Sequence, residues 1–95
     1  MNFNKSSATE KAKSDLAQRA GIAESDVETI SVEDTDFPDM SLGAPAEDEM
    51  AAQMISTGWR IKLRADEKDY EYRADKYQIR LCDYDGANHI IAENN

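Results

Sequence analysis

From Trp59 to Ala65 the chain alternates strictly: Trp59, Ile61, Leu63 and Ala65 are apolar, and Arg60, Lys62 and Arg64 between them are basic. That is the period of a strand with one face buried and the other in water. Two more runs of the same kind follow, at about 70–74 and 77–82, close enough to be hairpin partners. With Glu67 and Lys68 as the first loop, Leu63 faces Tyr72, Ala65 faces Tyr70 and Ile61 faces Ala74, while Arg64 meets Glu71 and Arg60 meets Asp75. A second turn at Asp75 and Lys76 sets Tyr77 against Ala74, Ile79 against Tyr72 and Leu81 against Tyr70. Every apolar residue then meets another, and a slip of one residue would break all of these pairs. Asp85-Gly86 is a strong hairpin signal, because both residue types accept the positive φ of a type I′ turn. It would bring Leu81 opposite Ile90 and Cys82 opposite His89.

Upstream, Ala8, Ala12, Leu16 and Ala20 recur every fourth residue and predict a helix over about 8–20 with one apolar stripe. Ser7 and Glu10 have the spacing of a capping box, and Gly21 stands where a left-handed residue ends a helix. Ile30 and Val32 share one side of an extended run at about 27–33, expected to be an edge strand. Residues 46–57 fit two readings, a short helix through Glu47, Met50, Ala51 and Met54 or an irregular strand leading into Trp59. Together these elements predict an α+β domain: an N-terminal helix packed on one face of an antiparallel β-meander of three to five strands.

Composition narrows the class. At 95 residues, with 40% hydrophobic positions that are clustered and periodic, the chain supports one domain and one modest core, with termini polar enough to fray. The net charge of −9 works against nucleic acid or an anionic membrane as the main partner. Cys82 is the only cysteine, which rules out an intramolecular disulfide and a multi-cysteine zinc site. With no secretory pattern or membrane-length apolar run, a reducing cytoplasmic location is the expectation. No cofactor or metal signature is present.

Three features carry candidate chemistry. The polar sheet face gathers Arg60, Lys62, Arg64, Arg73 and Arg80, either an anion or docking face (for a homodimer, for example) or a solvated surface with cross-strand charge pairs. Between Arg19 and Arg60 lie ten carboxylates and no basic residue, a segregation that lets the acidic segment fold over this sheet or over a neighbour's. Cys82 and His89, if opposed, suggest an activated thiol, although no orienting group or oxyanion site accompanies them. Tyr70, Tyr72, Tyr77 and Trp59 fall on the apolar face and read as core.

The long connection at about 34–49, "DTDFPDMSLGAPAEDE", is the most distinctive stretch. A connection of this length in a small domain is usually a functional or a flexible loop. Either it is a binding loop with Phe37, Asp39, Met40 and Leu42 as partner contacts, or it is a cover packed on the edge of the core. "DLAQRAGI", "FPDMSLGAP" and "GWRIKLRADEKDYEYRAD" together resemble a family of small uncharacterised prokaryotic proteins with a W-P-D-x-S-L-G-C-P loop, a G-[YW]-R-I-x-L strand and an x-Y-x-Y hairpin. The resemblance covers about 14–82. Phe37 replaces the tryptophan and Ala44 the cysteine, so a bridge that some relatives make from that loop cysteine to the position of Cys82 cannot form here. The resemblance implies the architecture and no activity. The expected function is a small non-enzymatic binding or regulatory, inhibitor-like module presenting the 36–48 loop. A homodimeric structural or stress-related protein is the alternative, and an enzyme using Cys82 and His89 ranks third.

Overall fold

A computed structural model describes residues 2–93. Helix α1 (Lys5–Ala20) is followed by a single 3-10 turn (Glu24–Asp26) and by strands β1 (Glu28–Phe37), β2 (Ser56–Ala65), β3 (Lys68–Ala74), β4 (Gln78–Tyr84) and β5 (Ala87–Glu93). The strands form one antiparallel sheet in sequence order, with β1 and β5 at its edges. The predicted α+β architecture is therefore present, with all five strands.

α1 lies on one face because its stripe is small and apolar. Ala8, Ala12 and Leu16 are fully buried against Ile61, Leu63, Tyr72, Ala74, Ile79 and Leu81. Alanines at the contact let the helix axis approach the sheet closely, and the Tyr72 hydroxyl passes the helix to donate to Asp15 at 2.7 Å. The helix starts three residues before the expected position. Asn4 is the cap, its side chain accepting from the Ser7 N–H while the Ser7 hydroxyl accepts from the Asn4 N–H. Ser7 thus belongs to the box as its inner member, Asn being as good a cap as Ser. The end is as predicted, with Gly21 at φ 69 and the Ile22 N–H closing on the Ala17 carbonyl.

The register corrects the expected pairing. Leu63 faces Tyr70 and Ile61 faces Tyr72, not Tyr72 and Ala74, and Arg64 faces Asp69 rather than Glu71. The next hairpin moves likewise: Tyr72 faces Leu81 and Ala74 faces Ile79. Both shifts are of two residues, which leaves every side chain on its expected face, so apolar matching alone could not separate the two registers. Turn chemistry decides. Asp66 and Glu67 take positive φ values of 50° and 65° in the first hairpin, and an aspartate tolerates that region better than the lysine a later turn would place there. In the second hairpin Asp75 lies before the turn, and its carboxylate accepts the N–H groups of Tyr77 and Gln78. Asp75 is buried and does not meet Arg60, and Tyr77 sits at the turn, exposed rather than in the core.

The last hairpin has the expected Asp85-Gly86 turn, but a bulge at Cys82 and Asp83 moves the pairing beyond it, so Leu81 faces His89. The extra residue lets Leu81 and Tyr84 both point to the helix side. Residues 47–55 form neither a helix nor a strand. β1 is longer than predicted, and β2 begins at Ser56, because the acidic stretch through Asp36 pairs with the segment before Trp59. Among the described residues no helix is long and apolar enough to cross a membrane.

Candidate functional site

The face of the sheet opposite α1 carries a row of like charges. Arg60, Arg73 and Arg80 are directly opposed across β2, β3 and β4. Three guanidinium groups side by side repel one another unless acceptors stand over them. The connection between β1 and β2 supplies such acceptors to Arg73 and Arg80 by crossing that face as a third layer. Arg73 Nη1 donates to the Leu42 carbonyl at 3.0 Å and Arg80 Nη1 to the Ala44 carbonyl at 3.1 Å. The two terminal nitrogens of Arg80 also meet both oxygens of Glu49. Gln78, held by Arg80 Nε, donates to the Met40 carbonyl at 2.6 Å, and Asn88 reaches the Pro45 carbonyl. The acidic segment folds over its own sheet.

The loop is also organised from within. One oxygen of Asp39 accepts the N–H groups of Ser41 and Gly43 and the Ser41 hydroxyl. The Ser41 hydroxyl, with those N–H groups, holds the Asp39 carboxyl below its ordinary range. Leu42 and Gly43 then take positive φ, and the Leu42 side chain is fully buried. The hydrogen bond from Arg80 likewise lowers the Glu49 carboxyl.

This geometry sorts the four residues expected to contact a partner. Phe37 and Leu42 are fully buried, Phe37 under the Arg73 guanidinium at 5.8 Å. They hold the loop down. Asp39 uses its carboxylate on the loop's own backbone, and Met40 alone of the four presents apolar surface to a groove described below. Leu42→Ala is expected to cost about 2–4 kcal/mol, as for other buried leucines, whereas Met40→Ser should stay within about 1 kcal/mol. Thermal unfolding of the two variants measures the contrast.

The basic face divides in the same way. Arg73 and Arg80 lie beneath the loop. Arg60, Lys62 and Arg64 lie beyond its edge, where Arg64 pairs with Asp69 at 2.7 Å and Arg60 Nε lies 3.5 Å from Glu71, with no hydrogen-bond partner. Cys82 and His89 do not come together as expected, because the β4–β5 bulge sets Leu81 rather than Cys82 opposite His89, whose Nε2 meets the Tyr84 carbonyl at 3.0 Å, while across the β3–β4 ladder Cys82 faces Glu71. Burial pushes the Cys82 thiol up to about 11, away from a reactive thiolate. Among the described residues no three His, Cys, Asp or Glu side chains are placed to hold a metal ion.

Sequence reasoning passed over the opposite end of the sheet. There Met40, Met54, Ile55, Ser56, Thr57, Trp59 and the turn at Asp75, Lys76 and Tyr77 enclose a predominantly apolar groove of about 440 Å³. Met50 is 97% exposed, Ile55 73%, Met54 64% and Tyr77 47%. Met50 and Met54, at helical spacing in a segment that fits either a short helix or an irregular strand, were the available signal. The groove floor is fixed by Asp75, which accepts the Ser56 hydroxyl at 2.5 Å besides the two turn N–H groups.

Residues 9–82 match the family described as Domain of unknown function (DUF8738). The chain belongs to that family. No curated protein and no solved structure matches it. The DUF8738 span contains the loop and its three principal anchors, Arg73, Gln78 and Arg80, and stops at Cys82, before the turn into β5.

Proposed function

We propose that the chain is a small non-enzymatic binding or regulatory module that contacts a protein partner through the loop edge at Met40 and the adjoining 50–55 segment. The supporting observation is the exposure of Met54, Ile55 and Tyr77 around one groove. Apolar side chains gathered at a concave site on an otherwise highly charged chain have the composition of an interface centre. The loop provides the frame for this surface, with Phe37 and Leu42 as its internal anchors. A reducing, cytoplasmic setting suits the single half-buried Cys82, and the raised thiol counts against Cys82 as a nucleophile. A homodimer through the basic face has less support, since two of its five cations already serve the loop.

The double variant Met54→Ser, Ile55→Ser tests the reading. Its melting temperature should match that of the parent, because these side chains are in water. A photo-crosslinker placed at position 53, between them, should give a discrete adduct in native lysate that the double variant loses. A stability loss of core size, about 2 kcal/mol or more, would make the segment architectural and remove the support for this surface.

A further inference from the structure

We infer that β1 accepts a sixth strand from a partner, an extended lysine- or arginine-bearing segment whose apolar end enters the groove; this rests on the groove being a contact surface. The two edges of the sheet differ in regularity and charge. β5 has two register shifts in its seven residues, between its pairs with Ile79 and Arg80 and again between those with Leu81 and Tyr84. Such bulges twist an edge away from further pairing. β1 has one, near Ile30, and then pairs with β2 without interruption from Ser31 to Phe37. Seven residues in regular register, with an unpaired outer edge, form a template for strand addition.

Charge selects the partner. β1 carries Glu28, Glu33, Asp34 and Asp36, all exposed, and no basic residue. Asp34 has only a surface pair with Lys5, and Asp36 only the Thr57 hydroxyl. Two copies joined edge to edge along β1 would bring these carboxylates together within a chain already at −9, so a second copy is the wrong occupant. Asp34 and Asp36 stand on one face of β1, beside Trp59 and Thr57 respectively. Both of those neighbours line the groove. The acidic edge and the apolar groove are therefore one continuous surface, matched by an extended segment with cations on one face and an apolar residue at its end.

The probe is a peptide of alternating lysine and valine ending in phenylalanine, titrated into ¹⁵N-labelled protein, with a glutamate-for-lysine control. Amides of 31–37 should shift saturably and gain protection from exchange, and those of β5 should not. Affinity should fall about tenfold between roughly 50 and 500 mM salt, and by a similar factor in the double variant Asp34→Asn, Asp36→Asn, whose unfolding midpoint should be unchanged. Shifts confined to 54–59 and 77 would overturn strand addition and leave the groove reading intact. No shift at either place would count against both. Equal binding of the glutamate peptide, or a peptide-free mass doubling that protects β1, would also overturn it.

Discussion

Replacing Arg80 with alanine should destabilise the fold by about 3 kcal/mol and release the loop from the sheet. The guanidinium is almost wholly buried, and it holds the Ala44 carbonyl, the Gln78 side chain and both oxygens of Glu49. Its removal strands all of these beneath the loop. The value lies at the low end for a broken buried ion pair because Glu49 retains some contact with water. Arg80→Lys should fall between, since one ammonium cannot reproduce the bidentate fork. The same contact gives an acid dependence. The ordinary values of Glu49 and Asp39 are 4.5 and 3.8, and both are lower in the folded protein. Their stabilising contribution is complete above those values and is lost as pH falls through the depressed ones. In Arg80→Ala the Glu49 share should vanish and the Asp39 share persist, as followed by chemical unfolding at a series of acid pH values.

Gly58→Ala should be at least as severe, about 3 kcal/mol or more, the upper range for overpacking. A Cβ built there would lie 2.0 Å from the Ala74 carbonyl oxygen and 2.9 Å from the Asp75 Cα, both backbone atoms that cannot swing aside. β3 ends here at Ala74, paired with Trp59, and its last carbonyl packs against Gly58 as the chain enters the turn that Asp75 caps. The substitution has to push the two strands apart where the groove floor is made. Denaturant unfolding gives the loss, and broadened amide signals from 56–59 and 74–78 should accompany it.

The sequence held more of the sheet than of its register. Strict alternation from Trp59 to Ala65 identified the faces, since a face depends only on parity. It could not choose between hairpins two residues apart, and that choice lay with Asp66 and Asp75, residues whose turn geometry is local and polar. The loop shows the same limit. Its prolines, its glycine and the acidic run marked it as unusual, but whether Leu42 points out or in depends on positive φ at Leu42, created by hydrogen bonds to Asp39. The arginine row was visible one strand at a time, and only pairing brings Arg60, Arg73 and Arg80 abreast. The groove went unread because the spacing of Met50 and Met54 suggests a helix, whereas the 47–55 segment forms neither helix nor strand and leaves Met54 and Ile55 exposed.

The exposed 50–55 stretch makes the chain divisible. Cut there, it becomes two peptides, one with α1, β1 and the loop, the other with the meander β2 to β5. Nothing covalent elsewhere joins them. They are nevertheless held by the β1–β2 ladder, by the helix seated on Ile61, Leu63 and Tyr72, and by the arginines that grip the loop carbonyls. The protein is in this sense a complementary pair of fragments tied by a short tether, and the tether is the segment with the most exposed apolar side chains.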